Sequence, residues 1–166
     1  MKTLTDHLAQ YAAYHRDRRN ILTHFLGIPM IVVAITTLLA KPAWQLAGVT
    51  VTPAWLLLLF SALFYLRLCL GLGTLMSILL LAAVGAGDAL AQGSTSQWLA
   101  WGLGLFIVGW ILQFIGHYFE GRKPAFVDDL VGLIVGPLFV VVELLFLLGM
   151  LPGLKLAIES RVGPVH

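Results

Sequence analysis

Charge is scarce in this sequence. Ten Lys and Arg and eight Asp and Glu make up 11% of 166 residues, against roughly 25% in soluble domains. A water-soluble domain is therefore excluded. Cysteine is scarcer still: Cys69 stands alone, so no internal disulfide can form and a secreted disulfide scaffold is ruled out. Net charge is only +2, and the basic residues sit in small groups between apolar runs, which removes the electrostatic basis for binding nucleic acid. The first 20 residues carry charges and tyrosines but no apolar stretch, so a cleaved leader is not expected. No Gly-rich loop follows a strand to cradle a nucleotide.

What is present is hydrocarbon, at 60% apolar residues and a mean hydropathy of +0.95. A spanning helix needs about 20 mostly apolar residues. Five runs approach that length: Ile21 to Ala40, Thr50 to Leu66, Leu68 to Ala86, Trp98 to Gly116 and Leu130 to Leu151. The second and third are short, flank Arg67, and suit either two crossings or a re-entrant hairpin. Trp98, Trp101 and Trp110 suit interfacial anchoring of the fourth run. The expected fold is an all-α polytopic membrane helical bundle, one domain over 1–166. Residues 1–20 form a cytoplasmic amphipathic segment with a short helix, 21–151 the membrane helices and 152–166 a C-terminal tail.

With the N-terminus in the cytoplasm and all five runs crossing, Lys2, Arg16, Arg18, Arg19, Arg67, Arg122 and Lys123 fall inside. Only Lys41, Lys155 and Arg161 fall outside, a bias that supports this orientation. The same parity places the start of the first run and the end of the fourth on one face. Two polar clusters can then meet there; four crossings would hold them about 30 Å apart.

The first cluster is Tyr14-His15-Arg16-Asp17-Arg18-Arg19-Asn20-Ile21-Leu22-Thr23-His24. On one straight helix His15 and His24 would be on opposite sides and roughly 13 Å apart. They converge only if the chain bends. Asn20 is a good N-cap, which predicts a membrane helix starting at Ile21 with His24 in its first turn. In the second cluster, Gln113, His117 and Glu120 are spaced i, i+4, i+7 and share a helix face. Polar groups at this depth cost several kcal/mol unless satisfied. Three imidazoles with a nearby carboxylate suit Fe(II) or Zn(II); interfacial hydrogen bonding of each histidine is the plain alternative. His7 and His166 fit that plain reading. Arg18, Arg19, Arg122 and Lys123 follow the positive-inside pattern and are also candidates to anchor a substrate carboxylate. Glu143 needs a partner or a proton inside the bundle, and Pro29 and Pro137 are expected to kink their helices.

The segments YHRDRRNILTHFLGIP (14–29) and QFIGHYFEGRKPAFVDD (113–129), with the later Pro137-x-Phe139-x-x-x-Glu143, resemble the membrane 2-hydroxy-fatty-acid dioxygenases. That family comprises the fungal endoplasmic-reticulum enzyme of fatty-acid α-oxidation and bacterial relatives. The resemblance implies an Fe(II)-dependent oxygenase that converts a 2-hydroxy fatty acid and O2 to the one-carbon-shorter acid and CO2. It implies His15, His24 and His117 as metal ligands. Asn20, Pro124 and Asp128 are further matching positions, and Arg18 stands where the fungal pattern has proline. Gln113 and Glu120 would orient the imidazoles, Glu120 being also a candidate ligand. Arg19, Arg122 and Lys123 would receive the head group, and the acyl chain would lie between apolar helices. The setting would be a bacterial inner membrane, or the endoplasmic reticulum, with the site on the cytoplasmic side. The electron count supports the reaction: the α-carbon loses three electrons and the carboxyl carbon one, so the substrate alone supplies the four that O2 takes. Two other readings stay open, a bis-histidine haem protein using His24 and His117 and a non-enzymatic lipid-binding scaffold. Paired-box di-iron enzymes need about eight histidines, and five are present.

Overall fold

A computed structural model describes residues 2–166, and it is helical apart from one small hairpin. Seven helices follow in order: α1 (Leu4–Ala12), α2 (Arg18–Leu38), α3 (Pro53–Leu68), α4 (Leu70–Leu90), α5 (Thr95–Glu120), α6 (Gly132–Leu147) and α7 (Pro152–Val162). Between α2 and α3 lie strands β1 (Trp44–Leu46) and β2 (Val49–Val51). α2, α4 and α5 are long and apolar enough to cross a membrane, and α6 and α7, bent by 115° to one another, have the form of a broken span or a re-entrant pair. The expected helical membrane bundle is the architecture observed. Two compact units divide the chain: Met1–Ile28 with Trp110–His166, and Pro29–Gly109.

In the first unit, α1 is closed by reciprocal hydrogen bonds. The Asp6 amide donates to Thr3 Oγ1 at 3.2 Å and the Thr3 amide to Asp6 Oδ2 at 2.8 Å, satisfying two free donors of the first turn. Its apolar face, Leu8, Ala9, Tyr11 and Ala12, is buried and packs on α6 and α7. Arg161 of α7 ties back to Asp6 at 2.8 Å, so the segment expected as a tail is mostly helix and clasps the N-terminus. Arg161 thus lies on the side of the N-terminus, not on the opposite side where five crossings would place it, because α7 folds back at the 115° bend after α6. The membrane helix begins earlier than expected, at Arg18 rather than Ile21. Asp17 takes the capping role assigned to Asn20: its Oδ1 accepts the Arg19 amide at 2.8 Å. A carboxylate at a helix start satisfies a free N–H and meets the positive end of the dipole, which frees Asn20 to turn inward.

In the second unit, Ala47 and Gly48, with φ of 50° and 81°, form the two-residue turn of the hairpin, pairing Trp44 with Val51 and Leu46 with Val49. Positive φ at both positions is what this tight turn requires. α3 and α4 meet at Cys69, whose extended backbone alone separates them, and they pack directly together. The second run is short as expected; the third is not, because the helix continues through Asp88 to Leu90. The connection from α4 to α5 is short accordingly. Ser94 and Gln97 exchange side-chain and backbone hydrogen bonds at 2.9 and 3.3 Å and start α5 at Thr95.

Candidate metal centre

All three histidines singled out above come together in the first unit. The chain leaves α1, turns through Ala13–Asp17 and enters α2, and this bend brings His15 Nε2 to 3.1 Å from His24 Nε2. His117 arrives from the last turn of α5, its ring centroid 4.8 Å from His15 and 5.1 Å from His24. One nitrogen of each lies within 4.8 Å of the others, and all three rings are buried.

The main chain orients two of the rings. His15 Nδ1–H donates to the Tyr11 carbonyl at 2.7 Å and His24 Nδ1–H to the Asn20 carbonyl at 2.9 Å. A carbonyl only accepts, so in the neutral rings the proton sits on Nδ1 and the Nε2 lone pairs face each other. At 3.1 Å that arrangement repels unless a cation lies between them. Nitrogens bound at about 2.0–2.1 Å to one ion have nearly this separation as neighbours. His117 Nδ1 is buried without a hydrogen-bond partner, a further site with a missing neighbour. The donor set therefore fits a metal ion. Burial, and then His24 alongside, hold the His15 imidazole well below its usual pKa, against the opposing pull of the Tyr11 carbonyl. The ring is neutral at pH 7, the form a metal needs.

Aromatic rings wall the centre. Tyr11 stacks on His15 at 4.2 Å with planes 6° apart, and Phe139 lies 4.9 Å from Tyr11 and 5.4 Å from His15. The Pro137-x-Phe139 segment thus supports the histidines from α6. His24 packs edge to face on His117, with ring centroids 5.1 Å apart and an interplanar angle of 83°.

The hydrogen bonds of Glu120 go to the turn and to Asn20 rather than to an imidazole. Its carboxylate instead gathers the turn: it accepts the Arg16 amide at 2.9 and 3.0 Å, the Asp17 amide at 2.8 Å and Asn20 Nδ2 at 2.9 Å. Asn20 Nδ2 also reaches the Tyr14 carbonyl at 3.2 Å. Glu120 therefore fastens the helix end carrying His117 to the turn carrying His15. α2 and α5 approach closely enough here that a Cβ on Gly116 would overlap Thr23 Oγ1 and Asn20 Oδ1. Gln113, expected beside the imidazoles, is buried one turn before His117, and its Nε2 has no acceptor.

The three cations expected to receive a head group are exposed and engaged with other partners. Arg19 pairs with Asp17 at 2.7 Å and covers the Phe119 ring at 4.5 Å; its hydrogen bond holds the Asp17 carboxyl down at about 2. Lys123 binds Asp128 at 2.6 Å, whose other oxygen accepts the Tyr14 hydroxyl at 2.8 Å. Arg122 donates to the Ala13 carbonyl at 2.7 Å. The cation packed against the site is Arg16, which the residue pattern did not single out. It is buried, its Nε donates to the carbonyls of Ala12 and His15 at 2.8 and 2.9 Å, and one terminal nitrogen donates to the Gly163 carbonyl at 2.9 Å. The other terminal nitrogen lies 3.6 Å from Glu143, the partner that an acid inside an apolar run requires. The C-terminal segment straps the same turn, His166 N donating to the Arg16 carbonyl and Arg18 N to the His166 carbonyl at 3.0 and 2.9 Å.

Comparison with known proteins agrees with this picture. The family described as 2-hydroxy-palmitic acid dioxygenase Mpo1-like matches residues 1–148. The 2-hydroxy-palmitic acid dioxygenase MPO1 of Saccharomyces cerevisiae is 36% identical over 159 residues, covering 94% of this chain and 87% of the yeast protein. No solved structure matches significantly.

Proposed function

Since this chain belongs to the Mpo1-like family of 2-hydroxy-palmitic acid dioxygenases, we propose that it is an oxidoreductase converting a 2-hydroxy fatty acid plus O2 to the one-carbon-shorter fatty acid, CO2 and water. The observation that carries this reading is the pair of imidazole nitrogens facing each other at 3.1 Å, with the third imidazole beside them. Family membership supplies the substrate class, and the donor set supplies a place for the metal.

His15, His24 and His117 would hold the ion and leave the rest of its coordination positions open, as in histidine-rich oxygenase sites. A bound Fe(II) would supply the redox centre that lets O2 take four electrons from the substrate. Zn(II), also compatible with imidazoles, has no redox chemistry and does not suit an oxygenase. The protein's own contributions are positional. The carbonyls of Tyr11 and Asn20 fix two rings, and Tyr11 and Phe139 exclude water around His15. Glu120 keeps the two halves of the ligand set in register. The distribution of basic residues supports a site at the cytoplasmic face of the membrane.

Anaerobic metal analysis coupled to oxygen uptake with 2-hydroxypalmitate tests the proposal. Stoichiometric iron and uptake dependent on the 2-hydroxy acid are expected, and His117→Ala should abolish both. An active, iron-loaded His117→Ala enzyme overturns the ligand assignment. Protein that purifies without metal and consumes no oxygen points to the lipid-binding scaffold instead.

A further inference from the structure

A cavity of about 370 Å³ opens beside the metal-bearing turn, walled by Ile21, Leu22 and Phe25 of α2 and by Phe146 of α6. That volume lies within the range of sites for small organic ligands. Its lining is mainly hydrocarbon, and its charged residues are not evenly placed. Arg18, exposed, and the pair Lys155 and Glu159, 3.9 Å apart and partly exposed, stand at the rim. Glu143 belongs to the wall but is buried, so it marks the inner end.

That inner end is one side chain away from the metal centre. Glu143 lies 3.6 Å from an Arg16 terminal nitrogen, and the same guanidinium donates through Nε to the His15 carbonyl. A separation of 3.6 Å is too long for a hydrogen bond. Arg16 is 7% exposed, and this nitrogen has no hydrogen-bond acceptor although its neighbours on the guanidinium do. A buried cationic donor without an acceptor is costly. Beyond its ion pair with Glu143, this nitrogen still has a hydrogen bond to give at the inner end of the cavity, where the head of a chain filling it would sit.

We propose that this cavity is the acyl site: the hydrocarbon chain of the 2-hydroxy acid lies along Ile21, Phe25 and Phe146, and Arg16 takes one oxygen of its head. The proposal rests on the dioxygenase reading for the identity of the acid. Leu22, exposed at the outer lip, lets a chain longer than the cavity run on into the bilayer. Phe25 and Phe146 are then the residues that set chain-length preference.

Displacement of a fluorescent fatty acid from the purified protein, with and without metal, reads binding apart from turnover. In the wild type, 2-hydroxypalmitate is expected to displace the probe and phosphatidylcholine to leave it bound. Phe25→Trp and Phe146→Trp should weaken 2-hydroxypalmitate at least tenfold and 2-hydroxyoctanoate much less, with metal content unchanged. Leu22→Trp, at the exposed lip, repeats the measurement where a core variant fails to fold. In Arg16→Lys the preference for 2-hydroxypalmitate over 1-hexadecanol should shrink, because the alcohol lacks the carboxylate. Unchanged displacement in folded Phe25→Trp and Phe146→Trp, or equal displacement by phosphatidylcholine, overturns the acyl site. Oxygen uptake with unaltered displacement in the variants removes the acyl site and leaves the dioxygenase reading intact. Displacement that responds as expected, without oxygen uptake by iron-loaded wild type, retains a fatty-acid site and removes the reaction.

Discussion

Glu120 concentrates more of the site's geometry than any histidine does, because one carboxylate receives two backbone amides and Asn20 Nδ2. Hydrogen bonds to a charged group are worth about 1.5–3 kcal/mol each. Glu120→Gln keeps the shape but turns an amide N–H toward donors that need an acceptor. We expect a lower unfolding temperature and a metal affinity reduced about 10–100-fold, the scale seen when partners behind metal ligands are lost. Titration of the variant with Fe(II) under anaerobic conditions checks it; unchanged affinity would show that the turn holds His15 without the carboxylate. The three histidines were legible in the sequence because polar residues are so few here that two clusters stand out, and crossing parity allowed them to meet. Asn20 was misread as a cap because Asp17, three residues earlier, offers the same chemistry and lies at the bend. Arg16 was hidden among four basic residues that the positive-inside pattern already explained. Tyr11 was hidden for a different reason, and Phe139 entered through its motif without a role: an aromatic in an apolar face is ordinary packing until a neighbouring ring gives it one.

The packing of α2 on α5 depends on a glycine that the residue pattern offered no reason to notice. A methyl at 116 would overlap Asn20 and Thr23 side-chain oxygens and stand 3.3 Å from the Asn20 Cα. Overpacking of this kind costs about 1–3 kcal/mol. Gly116→Ala is therefore expected to lower thermal stability and release metal, since it pushes apart the helices carrying His24 and His117. Gly104→Ala, on the same helix but with nothing within 4 Å of the added methyl, should change stability by no more than about 0.5 kcal/mol. Metal content and melting temperature of the two variants decide the matter, and equal behaviour would sink it. At the other end of the same unit, α1 and α7 are joined by Asp6 and Arg161. Hydrogen bonds from the Thr3 backbone and then from Arg161 lower the Asp6 pKa below the ordinary carboxylate value. A carboxyl with a depressed folded pKa contributes stability that is present above its unfolded value near 3.9 and is lost as pH falls through the folded one. The melting-temperature gap between wild type and Asp6→Asn should be full at pH 7 and narrow below about pH 4. A gap independent of pH would mean that the clasp is held by packing alone. The clasp was not visible in the sequence, where residues 152–166 read as a tail because the 11 residues of α7 carry no apolar face at helical spacing and bury Ile158 alone.

Over the whole molecule, the position of the site constrains how the chain crosses the membrane. α2 leaves the histidine cluster at Arg18 and α5 returns to it at Glu120, so if both helices span, the segment between them would cross an even number of times. α3 and α4 meet this condition as a pair, because a single extended residue joins them and they pack together; whether the pair spans or re-enters does not alter the parity. The number of crossings was therefore less informative in the sequence than their parity, which the short second run left intact. Basic residues favour the end bearing Arg16, Arg18, Arg19, Arg122 and Lys123 as cytoplasmic, and an α2 that crosses would put position 49 in the opposite compartment. With Cys69 replaced by serine, single cysteines at the exposed positions Val49 and Tyr118 report this directly. A membrane-impermeant maleimide added to sealed right-side-out membranes is expected to label position 49 and to reach position 118 only after permeabilisation. Labelling of both from outside would show that α2 does not cross. The reverse pattern would keep the fold but turn the metal centre outward, where the acyl cavity would draw substrate from the opposite leaflet.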